Sequence, residues 1–294
     1  MVRVAFLGSP EPAAHCLRAL AGAGHDVALV VTETDKRRGR GSGVSPTPVK
    51  RAALELGIAV TDRVGDVLEV GADLGIVVAF GRLIRPAVLD RLLMVNVHFS
   101  LLPRWRGAAP VERAILAGDE RTGVCLMKLD EGLDTGPVYV CAETPILRQT
   151  TVPSLLATLS RLGAELLVER LAAGVGGLGI PVPQEGEPTY AAKITPADLH
   201  LDWALPAAVA ERQVRIGRAW TTFRQGRLLV LGADAVGHED DGAAMPAPGT
   251  VVGTAVATGD GWLELSTVQP EGRHSQTAAD WLRGARVAAG ETLA

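Results

Sequence analysis

The sequence predicts an α/β fold in which an open, mostly parallel sheet is followed by a small β-barrel. From residue 2 to residue 173, short apolar runs alternate with segments of helical periodicity, as in an open sheet covered by helices. Residues 174–188 are rich in Gly and Pro, a composition typical of a connection between domains. After Trp203, short β-like segments are separated by turns, which favours a small barrel or sandwich. The expected architecture is therefore a Rossmann-like domain followed by an OB-like barrel.

The elements of the first domain follow from periodicity. Apolar β-branched runs predict strands and i, i+3, i+4 spacing predicts helices. The run at 74–80 is apolar without alternation, which suits a parallel strand covered on both faces. The predicted strands are residues 2–7, 27–31, 58–60, 74–80, 94–98, 124–129 and 138–141, and the predicted helices are residues 11–23, 48–56 and 152–173.

The second half gives a different pattern. A helix is expected over residues 206–214, strands over 228–231, 250–256 and 262–268, and a closing helix over 277–288. We assign residues 1–185 to the first domain, 186–203 to a linker and 204–294 to the barrel domain.

Composition limits the class of protein. The chain has 29 Lys+Arg against 33 Asp+Glu, a net charge of −4, so contact with nucleic acid requires a local basic patch. Its three cysteines match no metal-ligand or redox spacing, and no apolar run is long enough for a signal peptide or a membrane span. We expect a cytoplasmic protein, and a monomer because no long exposed apolar stripe is evident.

The first loop could bind a dinucleotide, but its sequence argues against this. Gly8-Ser9-Pro10-Glu11-Pro12 joins a strand to a helix without the G-x-G-x-x-G pattern. Prolines stand where glycine would let a phosphate approach. The expected domain is Rossmann-like without the usual cofactor.

Three polar residues are candidates for chemistry. Strand alternation places Asn96 and His98 on one face at the carboxyl end of a strand, where ligands bind in open α/β sheets. Spacing alone is more typical of buried, satisfied polar groups. Asp134 lies in the acid- and glycine-rich segment 130–136, which by itself is typical of a turn. Together, an amide, an imidazole and a carboxylate suit acyl transfer, with donors for an oxyanion and an acid that orients the imidazole. A metal site is not expected, because no second His or Cys lies nearby.

Two motifs carry a resemblance to a known family. Asn96-Val97-His98 is followed by Ser100-Leu101-Leu102-Pro103-Arg104-Trp105-Arg106-Gly107-Ala108-Ala109-Pro110, and Leu133-Asp134-Thr135-Gly136 comes later. On these motifs the chain resembles the 10-formyltetrahydrofolate-dependent formyltransferases, and over nearly its whole length the methionyl-tRNA formyltransferase family. It departs from the family in Phe99, where many members have glycine, and in a short C-terminal domain.

The resemblance implies an activity and the residues that perform it. The implied reaction is transfer of a formyl group from 10-formyltetrahydrofolate to the α-amino group of methionine on initiator tRNA. The residues it implies are a catalytic set of Asn96, His98 and Asp134, a folate site of Ser100, Leu101, Leu102, Pro103, Phe80, Gly81 and Leu83, and tRNA contacts from Lys36, Arg38 and Arg40.

Three alternatives remain open at this point. An amino-sugar or other small-amine N-formyltransferase would use the same folate donor but would not need the basic loop or a second domain. A folate-dependent hydrolase would not need that loop either. A non-enzymatic RNA-binding module would be expected to have lost part of the Asn96, His98 and Asp134 set, and all three residues are present.

Overall fold

The computed structural model describes residues 1–37, 44–238, 245–288 and 290–294. Its chain forms two compact units. The first contains Met1–Val111, Glu120–Ile146 and Pro153–Ala192, and the second contains Glu112–Asp119, Leu147–Val152 and Lys193–Ala294.

The strands, numbered in chain order, are β1 (Arg3–Gly8), β2 (Asp26–Val31), β3 (Lys36–Arg37), β4 (Val44–Ser45), β5 (Val60–Thr61), β6 (Leu74–Val78), β7 (Met94–His98), β8 (Arg106–Gly107), β9 (Arg121–Lys128), β10 (Val138–Pro145), β11 (Tyr190–Ala191), β12 (Trp220–Phe223), β13 (Gly226–Val236), β14 (Val251–Val252), β15 (Ala255–Ala257), β16 (Trp262–Pro270) and β17 (Gln276–Thr277).

The α-helices are α1 (Glu11–Gly22), α2 (Pro48–Glu55), α3 (Pro86–Leu89), α4 (Pro110–Ala117), α5 (Val152–Leu171), α6 (Ala207–Ile216) and α7 (Ala278–Ala285). Short 3₁₀ turns occur at Val64–Leu68, Val175–Leu178 and Ala197–Leu199.

A seven-stranded sheet forms the centre of the first unit, in the order β10-β9-β7-β6-β1-β2-β5. The strands from β7 to β5 run parallel, and β9 and β10 add an antiparallel edge. Every residue of β6 is buried, as expected of a parallel strand covered on both faces. The predicted α/β architecture is confirmed.

The carboxyl ends of the central strands meet at one edge of this sheet. Gly8 of β1 pairs with Val78 of β6, and Val78 pairs with Val97 of β7. The loops that follow these strands therefore emerge side by side. A Cβ on Gly8 would lie 2.8 Å from the Val78 carbonyl oxygen and 2.6 Å from the Ala13 Cβ, so glycine is required here by close packing.

Strand register also brings two cysteines together. Cys125 of β9 pairs directly with Cys141 of β10, and the two form a disulfide across a separation of 16 residues. The spacing of the cysteines gave no indication of this, because the register of the two strands decides which residues face each other. Cys16, the remaining cysteine, is free and buried.

The second unit is built on an antiparallel sheet in the order β12-β13-β16-β15-β14, with β17 paired to β16. The C-terminal residues form hydrogen bonds with the strands at both edges of this sheet, β12 and β14. Main-chain hydrogen bonds join Ala294 to Thr222 of β12, Leu293 to Gly249, and Glu291 to Val251 of β14. The sheet is thereby closed into a small barrel.

One predicted strand of the barrel is wrong. Residues 250–256 were expected to form a single strand, but they form the hairpin of β14 and β15. The chain reverses at Gly253, which has a φ of 58°, a conformation that glycine adopts without steric cost. Among the helices that the structure describes, none combines the length and apolar character needed to cross a bilayer.

Candidate functional site

Strand β7 places Asn96 and His98 on one face of the sheet. In the antiparallel pair with β9, Asn96 lies opposite Met127 and His98 lies opposite Cys125. Residues opposite each other share a face, so all four side chains point to the same side. His98 is 5% exposed and Asn96 is half-buried, which leaves the amide accessible beside a buried imidazole.

The loop after β7 folds back onto His98. The buried Ser100 donates a hydrogen bond from Oγ to the Arg104 carbonyl at 2.6 Å, and the Leu102–Pro103 peptide is cis. Trp105 has a φ of 61°, and its main-chain N–H donates to Thr189 Oγ1 at 2.8 Å. This conformation directs the Trp105 carbonyl to His98, with 2.9 Å between the oxygen and Nε2.

The connection between β9 and β10 carries two acids with different roles. Asp130 shapes the turn, since its Oδ1 accepts hydrogen bonds from the Gly132 N–H at 3.1 Å and from Thr135 Oγ1 at 2.7 Å. Asp134 has a φ of 52°, and its side chain is only 12% exposed. The turn thus directs the Asp134 carboxylate inward while Asp130 remains at the surface.

The Asp134 carboxylate contacts both of the other candidate residues. Its Oδ2 accepts a hydrogen bond from the Gly107 N–H at 2.8 Å and lies 3.6 Å from His98 Nδ1. Its Oδ1 accepts from Asn96 Nδ2 at 3.4 Å. The structure therefore brings Asn96, His98 and Asp134 together.

The hydrogen bonds define what each group can contribute. The Trp105 carbonyl only accepts, so the His98 proton it receives is on Nε2. His98 Nδ1 then faces the Asp134 carboxylate, with 3.6 Å between Nδ1 and Oδ2. Asn96 has two amide hydrogens, and the bond to Asp134 uses one of them. The arrangement offers one free amide donor beside an imidazole that is held between a carbonyl and a carboxylate.

The other residues expected to bind folate lie in loops at the same sheet edge. Leu101, Leu102 and Pro103 are half-buried in the loop after β7. Phe80 is 4% exposed and packs into the core of the first unit, whereas Leu83 is 89% exposed. Gly81, between them, has a φ of 71° and turns the chain after β6.

The predicted tRNA-contacting residues are on the segment that runs from β3 to β4. Lys36 is in β3, and Arg38 and Arg40 lie outside the described residues. The base of this segment is held by an ion pair of 2.6 Å between Lys50 Nζ and Asp35 Oδ2.

Sequence reasoning missed Gln184, whose side chain bonds to Arg106 and to the backbone of the Asp134 turn. A single glutamine in a stretch rich in Gly and Pro carries no pattern that would have identified it. It also missed Gly107, because a main-chain donor leaves no trace in residue type.

Comparison with known proteins identifies the family. The sequence model of the formyl transferase family matches residues 2–171, and that of the formyl transferase C-terminal domain matches residues 193–286. A methionyl-tRNA formyltransferase of Symbiobacterium thermophilum is 44% identical over 99% of this chain and 94% of its own length. The chain belongs to the methionyl-tRNA formyltransferase family. The prediction that the protein is a formyltransferase enzyme is confirmed.

Further relatives agree with this membership. A methionyl-tRNA formyltransferase of Halorhodospira halophila is 44% identical over 99% of both chains. Among solved structures, the N-formyltransferase of Helicobacter canadensis in complex with folinic acid and dTDP-3-aminofucose has a TM-score of 0.69 at 15% identity. The match covers 90% of this chain and 99% of that one, and at this identity it shows that the two enzymes share a fold.

Proposed function

We propose that this enzyme transfers the formyl group of 10-formyltetrahydrofolate to the α-amino group of methionine on initiator tRNA. The observation that carries the proposal is the close approach of Asn96, His98 and Asp134 at the carboxyl edge of the sheet, in a chain whose relatives are methionyl-tRNA formyltransferases. Translation takes place in the cytoplasm, which is where the enzyme is expected to act.

Loops at the same edge would hold the folate donor. Leu101, Leu102 and Leu83 supply apolar surface there, and the turn at Gly81 leaves room for a flat ring to approach the main chain. Apolar walls with a few convergent polar groups are typical of sites for ligands of this size. The complex of the Helicobacter canadensis relative with folinic acid supports a folate as the formyl donor.

The residues of the site then have separate tasks. A free α-amino group has a pKa of about 8, so a useful fraction of the methionyl amine is neutral without a strong base. Asn96 would donate its remaining amide hydrogen to the formyl oxygen as that oxygen becomes negative. His98 would stabilise the same oxygen, and Asp134, 3.6 Å from His98 Nδ1, would orient the imidazole ring.

A proton must also pass from the amine to N10 of the donor. The amine loses one as its bond to the formyl carbon forms, and N10 of the donor gains one as the old bond breaks. Asp134 is the carboxylate within reach of both His98 and Asn96, so it would relay this proton through water.

Replacing Asn96 with alanine tests the catalytic role. Loss of one oxyanion donor is expected to lower kcat for methionyl-tRNA by about 10²–10³-fold, with little change in the KM for either substrate. Gln149→Ala removes an amide from an exposed loop position and is the control. An Asn96→Ala enzyme with near-normal turnover would exclude this role for Asn96.

The basic segment would bind tRNA phosphates. We propose that Lys36, Arg38 and Arg40 make these contacts and that the barrel unit supplies others. Arg40→Ala is expected to raise the KM for methionyl-tRNA and to lower the slope of log KM against log salt by about one, because one phosphate contact is lost. Arg161→Ala, on the exposed face of α5, is the matched control. An unchanged salt slope for Arg40→Ala would contradict the contact.

A further inference from the structure

Gln184 lies beside the proposed catalytic set without belonging to it. It follows Val182, whose N–H and carbonyl each bond to Val138 of β10 at 2.8 Å. This pairing brings the half-buried Gln184 side chain to the turn that carries Asp134. Gln184 is therefore placed by backbone hydrogen bonds that do not involve its side chain.

The Gln184 amide uses its full hydrogen-bonding capacity on two segments. Its Oε1 accepts from Arg106 Nε at 3.0 Å and from Arg106 Nη2 at 2.7 Å. Its Nε2 donates to the carbonyls of Asp134 and Gly136, both at 2.8 Å. A primary amide has two donors and two lone pairs, and here all four are occupied.

These two segments are the ones that meet at the Asp134 carboxylate. Arg106 is next to Gly107, whose N–H donates to Asp134 Oδ2. Asp134 itself has a φ of 52°. This conformation is unfavourable for residues other than glycine, and it persists only where the surrounding structure holds it. Gln184 binds the carbonyl of this residue, and so restrains the backbone from which the carboxylate projects.

Other contacts hold the same segments without Gln184. Strand β8, which contains Arg106 and Gly107, pairs with β11, and the Arg106 N–H donates to the Thr189 carbonyl. The stems of the Asp134 turn are joined by the pairing of β9 with β10. Loss of the Gln184 amide should therefore leave the fold in place and alter the orientation of Asp134.

We propose that Gln184 is a positioning residue for formyl transfer. It sets the orientation of the Asp134 carboxylate toward His98 and Asn96 by linking Arg106 to the Asp134 turn, and it does not touch the reacting atoms. The inference rests on the proposed function, in which Asp134 orients His98.

Gln184→Glu is the sharpest test, because the glutamate side chain has the same shape as glutamine and retains an oxygen that accepts from Arg106. The new carboxylate oxygen would face the carbonyls of Asp134 and Gly136 in place of an N–H donor. We expect kcat for methionyl-tRNA to fall by about 10–100-fold, the typical effect of a small misplacement of a catalytic group. The KM for each substrate should stay within about twofold of wild type. Gln149→Glu makes the same chemical change at an exposed position and should retain wild-type kcat.

A double mutant distinguishes positioning from general stability. If Gln184 acts through Asp134, adding Gln184→Glu to Asp134→Asn should lower kcat by less than about twofold beyond the single Asp134→Asn enzyme. Gln184→Ala is made in parallel, because it removes the amide without placing a carboxylate oxygen against the carbonyls of Asp134 and Gly136. If Gln184→Glu does not fold, the same comparisons are made with the alanine variant.

Each contrary result has a distinct meaning. Wild-type kcat in the Gln184 variants would overturn the inference while leaving the proposed function intact. An equal loss of kcat with and without Asp134→Asn would also overturn it, because Gln184 would then act independently of Asp134. A wild-type enzyme that transfers no formyl group to methionyl-tRNA would contradict the proposed function, and with it this inference.

Discussion

Asp134 combines an unfavourable backbone conformation with a demanding set of contacts. Its φ of 52° would suit glycine, but glycine has no carboxylate to accept from Gly107 and Asn96. The position therefore retains an acid at the cost of backbone strain, which is typical of functional sites. The acid- and glycine-rich sequence predicted the turn, but it could not indicate which acid points inward, because the bonds from Gly107 and Gln184 come from distant segments.

None of the three cysteines is expected to react with a thiol reagent in the native protein. Cys125 and Cys141 form a disulfide, and burial raises the pKa of the Cys16 thiol to about 12. A raised pKa keeps Cys16 protonated, so at pH 8 only about one thiol in ten thousand is the reactive thiolate. For protein isolated without reductant, titration with a thiol reagent should detect no thiol in the native state, one after denaturation, and three after denaturation with reduction.

This titration also tests the pairing of β9 with β10. A cytoplasm would keep such a cysteine pair reduced, so the isolation must avoid added reductant and allow oxidation in air. Three reactive thiols in denatured, unreduced protein would show that Cys125 and Cys141 do not form the bond. Rapid modification of Cys16 in the native protein would contradict its burial.

Helix α5 supports the strand that carries Asn96 and His98. A Cβ on Gly163 of α5 would lie 2.7 Å from Val97 Cγ1 and 3.4 Å from Val124 Cγ2. Both valines are fully or almost fully buried, and β-branched side chains have few alternative rotamers. The glycine is therefore required by the close approach of the helix to the sheet.

Gly163→Ala is expected to lower the free energy of unfolding by about 1 kcal/mol, measured by urea denaturation. Overpacking costs about 1–3 kcal/mol and outweighs the helix propensity that alanine adds, which is about 1 kcal/mol. Gly22→Ala, at the end of α1, meets no atom within 4 Å and should not destabilise the protein. If Gly163→Ala were as stable as wild type, β7 would not be packed as tightly as described.

The success of prediction for each element depended on how local its determinants are. Strand β7 has the predicted bounds, because its apolar run and its polar positions lie within five residues. The strand predicted at 250–256 was wrong, since β-branched residues favour a strand on both sides of the turn at Gly253.

At the scale of the whole chain, the order of elements along the sequence was sufficient to predict an α/β unit followed by a β unit. It was not sufficient to predict how the barrel closes. That depends on residues 291–294, whose bonds to Thr222 and Gly249 span long separations in sequence. The role of Gln184 could not be predicted from the sequence either, because the residues that it links are distant from it along the chain. Contacts of this kind depend on tertiary structure and leave no periodic signal.

The formyl group is expected to go to tRNA-bound methionine. The direct measurement is to incubate the enzyme with 10-formyltetrahydrofolate labelled in the formyl group and, separately, with methionyl-tRNA, a nucleotide-linked amino sugar, or buffer alone. Label is expected in the methionyl-tRNA fraction, with only background label on the sugar or in free formate. Transfer to the amino sugar, or release of formate, at a rate equal to or above that for methionyl-tRNA would contradict this expectation.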